Sequence, residues 1–337
     1  MANPSNLCTL TGTIGKAYNR KQPNVFQFGI PVEDKFELSA NNTFGIEVEV
    51  EGVLVEYSDD EFIDGVSPSA YCSGNVSKYG WLTKEDGSLR NGGVEFISMP
   101  TNGKHLYHVL DNLFKLIPKN TDFHPRAGIH VHVNCVDMSV AQVRRAILLY
   151  ILFEPMFFSL VDKNRKKNIF CVPVESANAA SDLLLLSTKR RKDSVQKYLA
   201  LNIDTLYYYG TIEFRHLQST NDLAVIGRWL KVIDNLFNFA KLSEDFDGLL
   251  QQVFNLTSNS QFDYLGCEVF GDMWRTFTFE DHLKALNNSV AMLKSAWVDE
   301  ESSFIGPDLE EWLKVKGHLY FAGAVGKEIP SVAVIDW

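Results

Sequence analysis

The chain has 337 residues, with 32 Lys+Arg against 42 Asp+Glu for a formal net charge of −10, and 45% of its residues are hydrophobic. This composition excludes a mainly disordered or fibrous chain, and the length suits one large domain or two of average size. The negative charge argues against broad adhesion to nucleic acid or anionic lipid, while leaving room for a local phosphate site.

Residues 1–43 scatter Gly, Pro and Asn without a sustained period and read as an irregular leader. They lack the charged start and apolar stretch of a secretory signal. From Phe44 onward, β-like segments alternate with helical ones. The predicted strands are Gly45–Tyr57, Gly93–Ser98, Gly128–Cys135 and Gly210–Leu217. The predicted helices are His105–Leu116, Val140–Leu160, Ala177–Leu201 and Leu223–Leu242. The apolar run Ala146–Val161 holds Glu154 and Pro155 in its middle and is short for a bilayer span, so it reads as a buried core helix. The five cysteines are far apart and form no C-x-x-C pair, which points to a reducing, cytoplasmic setting. Strands and helices interleave without regular βαβ punctuation, so the fold class expected is α+β with packed helices and an antiparallel or mixed sheet rather than a doubly wound one. The expected layout is a leader (1–43), a core domain (44–245) and a mainly helical C-terminal extension (246–337).

Three of the predicted strands carry charge on one face. In GIEVEVEG, Ile46, Val48 and Val50 alternate with Glu47, Glu49 and Glu51, placing three carboxylates on one side about 6.7 Å apart. In GIHVHVN, His130, His132 and Asn134 share a face. In GTIEFRHL, Glu213 and Arg215 face away from Ile212 and Phe214. A fourth piece, DGSLRNGGVEFISMP, offers Asp86 in a turn and Glu95 between Val94 and Phe96. Taken singly, these are also what a solvated strand face, a satisfied core histidine or a structural ion pair looks like. Their coincidence favours a cation site. Crowded carboxylates repel unless a cation holds them, and a carboxylate-dominated set prefers Mg²⁺ or Mn²⁺ over zinc. Two or more such ions would suit phosphoryl transfer. Residues 161–200 form a basic island that includes Arg165 and Lys189–Lys192, the latter reading best as a solvated face. No Walker-type loop exists, so a nucleotide would be held by metals and side chains.

The order FGIEVEVEG, DGSL with GVEFIS-x-P, AGIHVHVN, NRKKNIFC, KYLALN and YGTIEFRHLQST resembles the phage and bacterial amidoligase family over roughly residues 44–240. These are carboxylate–amine ligases related to glutamine synthetase and glutamate–cysteine ligase. The resemblance implies a glutamine-synthetase-like catalytic fold, ATP and Mg²⁺ as cofactors, and amide formation through an acyl phosphate. It also implies residue roles. Glu47, His130 and Glu213 would hold one ion, and Glu49 and Glu95 another. His132, Arg165, Tyr198 and Asn202 would meet the nucleotide, and Arg215, with Arg165 and Glu213, would act at the transferred phosphoryl group or carboxylate. With one strong acid on the Glu95 strand, Asp86, Glu51 or water would complete a shell. The expected partners are small-molecule or peptide carboxylates and amines, in a bacterial or phage-infected host cytoplasm, with no nucleic acid or membrane; oligomeric state stays open. Competing classes are a phosphagen-type kinase on the same fold, a zinc hydrolase built on the H-x-H pair, and a phage virion or scaffold protein retaining the fold.

Overall fold

A computed structural model describes residues 12–28, 34–52, 80–90, 93–117, 121–124, 126–186, 195–254 and 259–278, with scattered positions between 281 and 293. The N-terminal eleven residues, Cys8, Cys72, Lys189–Lys192 and the acidic stretch Asp299–Glu301 lie outside the described residues.

The architecture is α+β. Among the described residues, seven strands form one sheet: β1 (Thr43–Val50), β2 (Trp81–Glu85), β3 (Val94–Ser98), β4 (Thr101–Asn102), β5 (Gly128–Asn134), β6 (Leu201–Asn202) and β7 (Thr211–Gln218). Their order is β2-β3-β1-β5-β7-β6 with β4 beside β1, and each of these pairings is antiparallel. The alternation that predicts the strands also fixes their faces. Phe44, Ile46, Val48 and Val50, then Ile129, Val131 and Val133, then Ile212 and Phe214, are all buried in one hydrophobic core.

Two long helices close that core. Val140–Ser159 starts with a capping box between Ser139 and Gln142, and it buries nearly its whole circumference. No helix among the described residues is long and apolar enough to cross a membrane. Leu223–Lys241 is capped by Asp222, whose carboxylate accepts from the N–H groups of Ala224 and Val225, and Ile226, Leu230, Ile233 and Phe237 form its buried stripe. Residues from both expected flanking regions share the core: Ile14 and Leu38 on one side, Leu249, Phe262 and Trp274 on the other. Buried Asp234 ties the approach to β1 onto the 223–241 helix, accepting from the Ser39 N–H at 2.9 Å and the Asn42 amide at 2.7 Å.

The structure corrects one element outright. The helix predicted over Ala177–Leu201 does not form as a single element. The chain makes short helices at Val174–Ala177 and Ala180–Leu184, a 3₁₀ turn at Val195–Tyr198, then β6. Asn178 and Leu186 take left-handed backbone angles, φ 48° and 52°, which no continuous α-helix accommodates. Strand β2 was not predicted, being a five-residue piece whose alternation is too brief to stand out.

The turn into β7 depends on Gly210, at φ +72°, where an added Cβ would lie 2.4 Å from Val136 Cγ2. Gly210→Ala is expected to destabilise the fold by about 1–3 kcal/mol, read as a lower urea midpoint with an unchanged slope.

Candidate functional site

Antiparallel register lines up the polar face across the sheet. Lys84 stands opposite Glu95, and Glu95 opposite Glu49. Glu47 stands opposite His130, His132 opposite Glu213, and Glu213 opposite Asn202. Residues far apart in sequence therefore become cross-strand neighbours, the closest relationship a sheet offers.

The contacts follow from that register. His130 Nδ1 lies 3.0 Å from Glu47 Oε2 and 3.3 Å from Glu213 Oε1, while its Nε2 lies 3.6 Å from Glu49. His132 Nε2 lies 3.1 Å from Glu47 Oε1, and its Nδ1 meets the Thr211 hydroxyl at 3.1 Å. Glu49 accepts from the Gly128 N–H at 2.6 Å. Glycine at position 128 leaves room for two side chains: a Cβ there would lie 2.8 Å from Arg165 Nη2 and 3.0 Å from His130 Nε2, so a larger residue would have to displace them. Glu213 accepts from the Asn202 amide at 2.7 Å and pairs with the Arg215 guanidinium, whose Nε donates to the Phe170 carbonyl at 3.0 Å. His130, Glu213, Glu95 and Glu49 are buried.

Three overlapping sets of ligand atoms lie within 4.8 Å of one another: Glu47/His132/Glu213, Glu47/Glu95/His130 and Glu49/Asp86/Glu95. All five expected ligands belong to these sets: Glu49 and Glu95 share one, as expected, while His130 is grouped with Glu47 and Glu95 and also lies 3.3 Å from Glu213. His132, expected at phosphate, joins Glu47 and Glu213, and Asp86 completes the set around Glu49 and Glu95.

Several other expected residues make their contacts within the protein. Arg165 is 1% exposed, and its guanidinium donates to the backbone carbonyls of His216, Arg126, Ala127 and Arg215 at 2.6–3.3 Å. A charge buried so fully needs such acceptors, and here they clamp the start of β5 to β7. Glu51, though in phase with Glu47 and Glu49, is held at 2.5 Å by Arg126 and at 3.0 Å by the Arg90 N–H, and belongs to none of the three sets. Asn202 is a partner of Glu213, its carbonyl oxygen fixed by the Asp204 N–H at 3.0 Å. Tyr198 packs edge-on to Phe170, with Lys197 over its ring. Lys84, 3.5 Å from Glu95, and Thr211 were missed. Lys84 sits on the unpredicted strand, whereas Thr211 shares the alternation of Glu213 and could have been read from it.

Crowding shows in the protonation states. Burial pulls the Glu47 carboxyl upward, but the charge of His132 and hydrogen bonds to both histidines outweigh it and hold Glu47 well below the usual carboxylate range. Burial, then the charges of Glu47 and Glu49, raise Glu95 to about 7 against the pull of His130 and Lys84. His132 rises to about 9: burial disfavours its charge, but Glu47 and Glu213 prevail.

Two predictions follow from these groups. A divalent ion takes carboxylates and imidazoles in their deprotonated forms, so Mn²⁺ affinity is expected to climb as pH rises through 7 toward 9, and binding to release protons at pH 6.5. Calorimetry in two buffers of different ionisation enthalpy checks both signs. Arg165→Met removes a donor from four carbonyls, of which Ala127 and Arg126 keep the Ser219 N–H and the Asn168 amide, and is expected to cost about 1–3 kcal/mol of stability by thermal unfolding.

No curated protein matches the sequence. Among solved structures, a bifunctional glutathione synthetase from Pasteurella multocida is similar at 11% identity and a TM-score of 0.38, over 86% of this chain and 47% of that one. The chain thus spans about half the length of that protein, and a likeness at this score carries no argument. Residues 73–236 match the family described as "putative amidoligase enzyme". That range takes in β2, β3, β5, β6 and β7, while Glu47 and Glu49 on β1 precede it. Over residues 73–236, just under half of the chain, the sequence is similar to the amidoligase family.

Proposed function

We propose that the protein is an ATP- and Mg²⁺-dependent carboxylate–amine ligase, built on a glutamine-synthetase-like sheet and working through an acyl phosphate. The observation that carries this reading is the register that gathers Glu47, Glu49, Glu95, Glu213, His130 and His132 into three overlapping ligand sets on one face. The donor set fits the ions. Carboxylates dominate, as hard cations require, and one of them, Glu95, is pushed up to about 7 by burial and by its neighbours, a penalty that a bound cation would relieve.

Those six residues, with Asp86, would hold the ions. Bound divalent ions supply charge neutralisation for phosphates and for the oxygens of an in-line transfer. The remaining work is positional. A substrate carboxylate oxygen attacks the terminal phosphorus of ATP, ADP leaves, and an amine nitrogen then attacks the acyl carbon, loses a proton and expels phosphate. Arg215, anchored through Nε and one amino group, keeps its other guanidinium N–H groups for phosphoryl or carboxylate oxygens. Asn202 and the Arg215 pairing orient Glu213 from two sides. Thr211 sets the ring plane of His132, as ligating histidines usually require.

In this reading residues 44–245 form the catalytic unit, the enzyme works in the cytoplasm, and its partners are small-molecule or peptide acids and amines. A screen of carboxylic acids with ATP, Mg²⁺ and hydroxylamine is expected to yield a hydroxamate, and Glu47→Gln to lower its rate by roughly 100-fold or more. A phosphorylated product without hydroxamate would point to the kinase alternative. Full turnover in Glu47→Gln would sink the ion assignment.

A further inference from the structure

Beneath Arg215 an otherwise apolar region of the core holds a chain of three buried polar groups. Tyr150, on the 140–159 helix, donates its hydroxyl to Glu154 Oε1 at 2.7 Å, and its oxygen lies 2.9 Å from His216 Nε2. Tyr150 and His216 are 0% exposed and Glu154 2%. Glu154 also accepts from the N–H groups of Val174 at 2.8 Å and Glu175 at 3.3 Å. The single phenolic proton goes to Glu154, so the Nε2–H of His216 donates to Tyr150. His216 Nδ1 is left without a hydrogen-bond partner among the described residues. Phe157, Phe158, Phe214 and Trp229 surround the imidazole, and burial, with the nearby Arg165 charge, keeps it well below its usual range and neutral.

Core stability alone does not account for this chain. Replacing a buried polar set by apolar groups of the same shape is often close to neutral, and an orphaned imidazole nitrogen is a cost. A fully connected polar chain does fix geometry, because each member accepts only a narrow set of directions.

What it fixes can be followed bond by bond. His216 adjoins Arg215 on β7. Val174 lies four residues after Phe170, whose carbonyl receives Arg215 Nε. The segment between them is braced against the β6 approach: Val172 donates to the Tyr198 carbonyl and accepts from Ala200 N–H, each at 2.8 Å, and Ala200 accepts from the Arg215 N–H at 2.9 Å. Arg215, His216, Tyr150, Glu154, Val174 and Phe170 therefore close a ring that returns to the guanidinium from which it started.

We propose that Glu154 and Tyr150 are positioning residues for Arg215: the ring holds the Phe170 carbonyl in place and so aims the remaining guanidinium N–H groups at the transferring phosphoryl group or the substrate carboxylate. The inference rests on the role proposed above for Arg215, and two readouts separate the two ideas. The full-length protein is compared with Tyr150→Phe, which keeps the ring's volume, and with Glu154→Gln. The first readout is the Arg215 Nε–H resonance in ¹⁵N NMR, identified by its loss in Arg215→Lys. The second is hydroxamate formation, with kcat and the KM for ATP separated, beside Mn²⁺ affinity and thermal unfolding. Tyr150→Phe is expected to shift or broaden the Arg215 resonance and lower kcat by roughly 10- to 100-fold, leaving Mn²⁺ affinity and the KM for ATP unchanged. Glu154→Gln, which cannot accept all three of its present donors, is expected to act in the same direction. An unmoved Arg215 resonance with unchanged kcat, accompanied only by a lower melting temperature, overturns the proposal. Should the wild type form no hydroxamate, the ligase reading fails, and the resonance alone decides whether the ring aims Arg215.

Discussion

The carboxylates of Glu47, Glu49, Glu95 and Glu213 crowd one face of a sheet whose other face is the hydrophobic core. Ligand atoms of Glu47 and Glu95 approach within 4.8 Å. Two like charges at that separation repel by about 3 kcal/mol or more at an effective dielectric near 20. The fold tolerates this because each acid has a fixed partner. Glu47 lies between two imidazoles, Glu49 takes a backbone N–H, Glu95 faces Lys84, and Glu213 takes both Asn202 and Arg215. The other described features of the site serve these pairings. Gly128 clears room for Arg165 and His130, the clamp of Arg165 joins β5 to β7, and the buried Tyr150–Glu154 chain stands behind Arg215.

The β5–β7 pairing shows how backbone irregularity serves the same end. Ile129 opposes Leu217 while Val131 opposes Phe214, so β7 takes three steps where β5 takes two. The extra residue falls opposite His130. Bulges increase local twist and re-aim side chains. Here one stretch of β7 sends Arg215 toward the carboxylates while His216 and Leu217 stay in the core.

The faces of β1, β5 and β7 were legible because alternation with period two is local: Ile46/Val48, Ile129/Val131 and Ile212/Phe214 mark the core side whatever the strands pair with. The candidate ligands came with them. Partnership was not legible, because register decides it. Nothing local to Glu49 says that it will face Glu95, or that Glu51, two residues on, will be taken by Arg126 at the end of the strand. Arg165 misled for a related reason. It was expected at the nucleotide, yet carbonyls at the start of β5 and on β7 take up its guanidinium inside the protein. Asn202 looked like a ligand-binding amide, and only the two-residue strand β6 reveals that it faces Glu213. The broken helix after Ala177 was hidden because left-handed angles at Asn178 and Leu186 leave no mark in the hydrophobic period.

The strand order has a consequence for how such a site comes into being. β1 pairs with β3 on one side and β5 on the other, and β7 joins outside β5, so β1, β5 and β7 lie side by side in the order in which they are synthesised. Glu213 arrives last and belongs to the set shared by Glu47 and His132. A nascent chain that has not yet delivered β7 can gather Glu47, Glu95 and His130 but has neither Glu213 nor Arg215. Long-range pairing of this kind is slow relative to helix formation. In that interval the imidazoles of His130 and His132 are the groups that face the Glu47 carboxylate and offset its charge.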